Sequence, residues 1–153
     1  MQRTKVLTMF DIDSLAVDPK KAVEGTWVKF LGLETTQLKI ARHNNRKAEN
    51  ARSARLYQFY QELKDDKDPA VIEQNFRQVQ AEVMAEHILV DWKGISKGGE
   101  ELPYSLENAV ALLSDPKYED LYQWVFNEST KKENYDLANE IAVVEDVKDS
   151  ADS

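Results

Sequence analysis

A long stripe of apolar residues in the middle of the chain constrains the fold more than any other feature. Its members recur at intervals of three or four residues, at Ile72, Phe76, Val79 and Val83, and continue through Ile88 and Leu89 to Trp92. This spacing places them on one face of an α-helix. Asp68 is a suitable N-cap, and Pro69 falls in the first turn, where proline is tolerated. The sequence therefore predicts a central helix over residues 69–92.

Helical patterns of the same kind lie on both sides of this central helix. Asn44 and Asn45 are N-cap candidates for a helix over residues 44–64. Ser105 and Asp115 are N-cap candidates for two shorter helices, over residues 105–114 and 116–129. Residues 133–153 are acidic, and we interpret them as a C-terminal helix that continues into a frayed tail.

Residues 23–42 have the character of strands instead. Trp27 lies in a β-branched and aromatic segment between two glycines, and Leu38 and Ile40 alternate with polar residues. These features predict a small β-hairpin or meander. Residues 1–22 are weakly periodic and are predicted to form a partly ordered arm, and the glycine-rich residues 93–103 to form a loop. The expected fold is mainly α within the α+β class, with one domain over residues 23–132.

Charge and cysteine content limit the classes of function. The 153-residue chain has no cysteine, which excludes disulfides, thiolate catalysis and cysteine zinc sites. No apolar run reaches the roughly 18–20 residues of a transmembrane helix, so we expect a soluble, cytoplasmic protein without a membrane partner. The net charge is −8, yet residues 39–55 are basic and the residues after 133 are acidic. Such asymmetry marks an interaction surface and permits a homo-oligomer.

His87 is the strongest candidate for catalysis. Glu86 precedes it, and Asp91 would lie one helical turn further on, an arrangement that can orient an imidazole. No nucleophile or ligand set accompanies it in sequence, and His43 is distant. The Asp-Ile-Asp segment at residues 11–13 lacks the glycine and distal glutamate of a calcium loop. Because phosphate loops and dinucleotide fingerprints do not occur either, we expect no enzymatic activity, no cofactor and no metal.

The basic segment raises the question of nucleic acid. Arg42, Arg46, Arg52 and Arg55 could contact phosphates. The segment has no aromatic residue before Tyr57, so base stacking along it is not indicated. The acidic chain as a whole also opposes binding to a polyanion. Pairing of this basic face with an acidic helix is the simpler explanation, and nucleic-acid binding stays a secondary alternative.

The aromatic residues exceed what one modest core must hide, and a helical protein with spare aromatic surface is typical of a protein binder. The alternative for each aromatic residue is burial in the core. We predict a partner-binding groove and a steering set of arginines. The groove candidates are Tyr57, Tyr60, Trp92, Tyr122 and Trp124, and the steering candidates are Arg42, Arg46 and Arg52.

Three segments carry a family resemblance. They are EGTWVKF…LKIARHNN, AEHILVDWKGI and LPYSLENAVALLSDPKYEDLYQWV, in that order along residues 20–135. Together they resemble the tail assembly chaperones of long-tailed bacteriophages. The resemblance rests on the combination, since each motif alone would be weak.

This resemblance implies a non-enzymatic role in tail morphogenesis. Such chaperones bind the tape measure protein and mask its hydrophobic helical surface before tail-tube subunits assemble around it. They act in the host cell cytoplasm and are absent from the mature virion. Besides the tape measure protein, the implied partners are the tail-tube protein and a longer form of the chain made by ribosomal frameshifting. The resemblance transfers no catalytic residue.

Two other classes of function stay open from sequence. The first is a structural virion component, such as a head–tail joining or tail-tube protein. The second is the nucleic-acid-binding accessory protein that the basic segment suggests.

Overall fold

Helices and a small antiparallel sheet make up the computed structural model, which describes residues 9–63 and 68–137. Within these residues the helices are α1 Pro19–Glu24, α2 Arg46–Glu62, α3 Pro69–His87, α4 Leu106–Ser114 and α5 Glu119–Ser129. The strands are β1 Thr26–Lys29, β2 Gln37–Ile40, β3 Leu89–Lys93, β4 Ser96–Lys97 and β5 Glu100–Glu101. Short 3-10 helices occupy Ile12–Leu15, Phe30–Gly32, Pro116–Tyr118 and Lys132–Tyr135. The predicted α+β class is confirmed.

Side-chain caps start α2, α3 and α4 where the sequence predicts them. The predicted helix 116–129 differs, because Asp115 caps a 3-10 turn and α5 begins after it, at Glu119. Asn45 Oδ1 accepts a hydrogen bond from the Ala48 amide at 3.0 Å at the start of α2. Asp68 does the same for α3 and Ser105 for α4, each at 3.0 Å. Because the first amides of a helix lack intrahelical partners, these caps fix the helix starts locally. None of the described helices is long and apolar enough to cross a membrane.

The three-stranded sheet has the order β1–β2–β3, with both pairings antiparallel. The β1–β2 hairpin confirms the β element predicted within residues 23–42. One row of the sheet joins Val28, Leu38 and Trp92, one residue from each strand. Leu38 and Trp92 are buried in the core. The sheet thus joins a segment that precedes α2 to one that follows α3.

The prediction of one helix over residues 69–92 is wrong at its C-terminal end. The helix α3 stops at His87, and residues Leu89–Lys93 form strand β3. A short apolar run fits a buried strand as well as a helix, and periodicity alone does not distinguish them. Long-range pairing decides here, since β3 pairs with β2 and the Ala41 amide donates to the Ile88 carbonyl at 2.8 Å.

The predicted loop at residues 93–103 also contains regular structure. Strands β4 and β5 pair as a hairpin whose turn is formed by Gly98 and Gly99, both with positive φ, 62° and 84°. Two consecutive residues with positive φ match the tight turns that suit a twisted hairpin. The pairing extends beyond the strands, because the Leu102 amide donates to the Ile95 carbonyl at 2.8 Å.

The two ends of the described chain meet beside the sheet. Val17 forms a β-bridge with Asp136, and the Asp18 amide donates to the Tyr135 carbonyl at 2.9 Å. Tyr135 is fully buried, and its hydroxyl donates to the Ile40 carbonyl at 3.1 Å. Of the predicted arm 1–22, residues 9–22 are described, and of the predicted acidic tail 133–153 only residues 133–137 are. The rest of both predictions lies outside the described residues.

Candidate functional site

An apolar groove opens between the β1–β2 connection, the β4–β5 hairpin and the start of α5. It encloses about 320 Å³. Its lining is mostly hydrocarbon and comes from separate segments of the chain: Phe30, Leu33, Thr36, Gly94, Ile95, Ser96, Lys97, Leu102, Leu112, Tyr118 and Leu121. Concave apolar surface of this kind is where ligands and partner side chains bind most often.

The β1–β2 connection forms the first wall of the groove. The Phe30 amide donates to the Thr36 carbonyl at 2.9 Å, which closes the connection into a tight loop. Leu31 adopts a left-handed conformation with φ 51°, and its side chain is 69% exposed. Leu33, on the groove rim, is 51% exposed. The loop therefore presents two leucine side chains to solvent beside the groove.

Gly94 holds that loop against the end of β3. Its φ is 72°, and a Cβ atom at this position would lie 1.9 Å from the Thr35 carbonyl oxygen. The Thr36 hydroxyl donates to the Gly94 carbonyl at 2.9 Å. Only glycine permits both this φ and this close backbone approach. The floor of the groove therefore depends on a single residue without a side chain.

Trp92 supports the second wall, which the β4–β5 hairpin provides. Its side chain is 5% exposed, and its indole Nε1 donates to the Leu102 carbonyl at 2.8 Å. The Tyr104 ring packs edge-on against the indole, with centroids 5.0 Å apart. This burial corrects the prediction that Trp92 itself lines a partner groove. Trp92 instead lies in the core and positions Leu102, which does line the groove.

The third wall comes from Tyr118 and Leu121 at the start of α5. Lys97 Nζ and Lys117 Nζ lie 5.8 and 5.7 Å from the Tyr118 ring centroid. Two ammonium groups therefore stand at this rim of an otherwise hydrocarbon surface. The sequence did not identify Leu33, Leu102 or Leu121 as site residues, and only Leu33, which follows Gly32 in a turn, carried a local signal for exposed apolar surface.

Tyr57 and Tyr60 belong to a different surface, the solvent side of α2. They are 69% and 61% exposed. No α2 residue lines the apolar groove. The predicted aromatic set is therefore divided between two surfaces and the core.

Tyr122 and Trp124 are half-buried on α5. The Arg77 guanidinium lies 3.5 Å from the Tyr122 ring centroid, and Arg77 also forms a two-pronged ion pair with Glu119. Burial raises the pKa of the Tyr122 hydroxyl, while the Arg77 charge acts in the opposite direction. Trp124 packs edge-on against Phe30 at 4.7 Å. Tyr122 joins α5 to α3, and Trp124 supports the Phe30 wall of the groove.

The predicted steering arginines differ in their surroundings. Arg46 is exposed and Arg42 is half-buried. Arg52 is mostly covered, because it pairs with Glu49 at 3.0 Å and donates to the His43 carbonyl at 3.4 Å. The neighbouring Arg55 pairs with both Glu82 and Glu86. Acidic residues of the same chain therefore offset the charges of Arg52 and Arg55.

His87 and Asp91 line a second groove, which is polar and has a volume of about 500 Å³. They do not form the predicted helical pair, since His87 ends α3 and Asp91 lies in β3. His87 Nε2 is 3.6 Å from Glu86 Oε2, and Asp91 Oδ1 accepts from the Trp92 amide at 2.8 Å. No cluster of three potential metal-ligating side chains occurs in residues 9–63 and 68–137. Asp11, in the Asp-Ile-Asp segment, caps a 3-10 turn by accepting a hydrogen bond from the Asp13 amide.

Comparison with known families places the chain in a phage context. A family model described as YdaY prophage protein matches residues 35–146, which is most of the chain. The chain belongs to the YdaY prophage protein family. It is therefore a phage-derived protein, and the match includes every groove residue from Thr36 to Leu121. No curated protein and no solved structure matches this family member.

Proposed function

We propose that this chain is a tail assembly chaperone whose apolar groove binds a helix of the tape measure protein. The groove is the observation that carries the proposal. It offers concave hydrocarbon surface at a position where leucines are already exposed, and membership of a prophage protein family provides the phage setting.

The proposed partner has the chemistry that such a groove requires. A tape measure helix that is not yet enclosed by a tail tube presents an apolar stripe to water, and exposed stripes of this kind promote aggregation. An amphipathic helix inserts side chains spaced at i, i+3 and i+4 into a hydrophobic groove. The exposed Leu31 and Leu33 extend the contact beyond the concave part of the groove. Covering the stripe would keep the tape measure protein dispersed until tail-tube subunits replace the chaperone.

Release is part of this proposed role. The groove encloses only about 320 Å³, enough for a few side chains of a helix, whereas stable interfaces bury about 800 Å² per partner. Binding of modest affinity therefore suits a chaperone that acts in the host cytoplasm, has no enzymatic activity and is absent from the mature virion. Lys97 and Lys117 at the rim favour a helix that carries acidic residues beside its apolar stripe.

Co-expression with the tape measure protein of the same prophage tests the proposal. We expect the wild-type chain to increase the soluble fraction of the tape measure protein and to co-purify with it. Leu33→Asp should abolish both effects, because a carboxylate at the rim would have to be desolvated on binding. Leu106→Asp is the matched control, since Leu106 is a 47% exposed leucine that does not line the groove.

Two results would contradict the proposal. The first is tape measure protein whose solubility is independent of the chain. The second is a stoichiometric amount of the chain in purified virions, measured by mass spectrometry, which would indicate a structural component such as a head–tail joining or tail-tube protein.

A further inference from the structure

The solvent side of α2 forms a continuous stripe, here called the outer stripe. Its members follow one another at intervals of three and four residues, and all are exposed: Lys47, Asn50, Ala54, Tyr57 and Gln61. The opposite side of the same helix carries the buried Ala48 and Phe59. One face of α2 therefore packs on the protein while the other presents a helical stripe to solvent.

The composition of the outer stripe is that of a contact surface. Tyr57, one of its members, is 69% exposed, and Tyr60 at its edge is 61% exposed. Tyrosine is enriched at protein interfaces because its ring is rigid and amphipathic. Ala54 has a small side chain that allows another helix to approach closely. The stripe differs from the groove, whose lining is aliphatic and concave.

Charge is distributed in opposite senses at the two ends of α2. Lys47 lies in the first turn, and Glu62 is the last residue of the helix. Both are exposed. Both also lie toward α3, since Lys47 lines the polar groove with Glu86 and Glu62 lines a pocket with Glu82. When two copies of this helix align antiparallel about Ala54, Lys47 of each copy comes beside Glu62 of the other. A symmetric pair therefore satisfies the same ion pair twice, as an isologous interface requires.

We propose that the outer stripe pairs with the same stripe of a second copy of this chain, antiparallel and with Ala54 at the two-fold axis. The helix has 17 residues, so the contact extends over roughly 25 Å. A single helix pair of this length is small for a stable interface, and the dimer forms and dissociates with protein concentration. Because no α2 residue lines the groove, the dimer presents two open grooves. This pairing does not depend on the proposed chaperone function.

Exchanging the charges at positions 47 and 62 tests both the pairing and its antiparallel alignment. The variants Lys47→Glu and Glu62→Lys each place like charges together, and we expect the dimer dissociation constant to rise about tenfold or more in sedimentation velocity at low salt. Mixing the two variants should restore dimers, because Glu at position 47 of one copy then meets Lys at position 62 of the other. The double variant Lys47→Glu/Glu62→Lys should also dimerise. Far-ultraviolet circular dichroism checks that each variant is folded.

A disulfide probe tests the position of the axis. The chain has no cysteine, so a single introduced thiol reports only on its own position. Packed helices whose axes are about 8–10 Å apart bring facing Cα atoms within the range that a disulfide spans. Ala54→Cys should therefore oxidise rapidly to a covalent dimer. Asn127→Cys, an exposed position on α5, is the control and should oxidise slowly.

Three results would overturn the proposal. One is a chain that stays monomeric at every concentration. Another is equal oxidation of Ala54→Cys and Asn127→Cys. The third is a monomeric chain in which Tyr57→Lys abolishes capture by the tape measure protein, since the outer stripe would then belong to that partner.

Discussion

The apolar groove and the outer stripe of α2 are two surfaces built by opposite means. The groove collects side chains from separate segments between Phe30 and Leu121, and backbone contacts at Gly94 and Leu102 hold them in place. The outer stripe belongs to one helix and is continuous in sequence. A groove of this kind depends on the whole core, whereas a helical stripe depends on little beyond its own helix. Substitutions that disturb the core should therefore impair binding at the groove more than pairing through the outer stripe.

Trp92→Ala should have the largest effect on stability, and it should affect the two surfaces differently. Removing the buried indole leaves a cavity and frees Leu102, and we expect the free energy of unfolding to fall by roughly 3–5 kcal/mol in urea titrations. In the remaining folded protein, binding at the groove should be weakened while pairing through α2 persists. Trp27→Ala is the control, since Trp27 is 36% exposed. Nearly unchanged stability together with lost partner binding would show that Trp92 is a groove residue and not a core residue.

Gly94→Ala should have the next largest effect on stability, and it should also disturb the groove, because Gly94 lines it. The new Cβ atom would overlap the Thr35 carbonyl, so the backbone must move and the free energy of unfolding should fall by about 3 kcal/mol or more. Gly32→Ala separates this overlap from the cost of the left-handed conformation. Gly32 has nearly the same φ, 73°, but no atom would lie within 4 Å of its Cβ, so about 1–2 kcal/mol is expected. Equal losses in thermal or urea unfolding would contradict a close approach at Gly94.

A substitution of His43 should have the smallest effect on the free energy of unfolding. Its ring packs edge-on against Phe126 of α5 at 4.9 Å. Burial, and then the nearby Arg52, lower its pKa below the ordinary value of 6.5, although Glu49 acts in the opposite direction. The unfolded chain therefore binds a proton more readily than the folded one. The contribution of His43 to stability is complete above the unfolded pKa and is lost as the pH falls from there through the lower, folded pKa.

Urea titrations between about pH 7.5 and pH 5.5 measure this dependence. His43→Gln should lose less stability on acidification than the wild type does. His87→Gln, which removes the other histidine, is the control. A variant as sensitive to acid as the wild type would show that carboxylates, and not His43, carry the dependence.

Local signals predicted the elements of the fold well. Asn45, Asp68 and Ser105 cap helices where the sequence places the caps, because capping depends on a few neighbouring residues. The β1–β2 hairpin followed from alternation in the same way. Strand β3 could not be predicted, since its apolar run fits two structures and its partner strand lies about fifty residues away in the sequence.

The candidate surfaces show the same contrast between local sequence signals and long-range contacts. Tyr57 and Tyr60 are exposed, but they lie on α2 and not in the apolar groove, so the sequence did not place them on the correct surface. Leu33, Leu102 and Leu121 were missed, because no spacing in the sequence relates three residues from a turn, a hairpin and a helix. Trp92 was misassigned for the same reason. Its exposure depends on the hairpin that folds over it.

The pairing of β2 with β3 also sets an order of events during synthesis. These strands are separated by all of α2 and α3, so their pairing closes a long loop, which is a slow and costly step. The groove further requires Leu121, which leaves the ribosome long after α2. A nascent chain therefore contains the whole of the proposed pairing helix before it can form the groove. The proposed pairing surface is thus available earlier in synthesis than the proposed binding site for a partner helix.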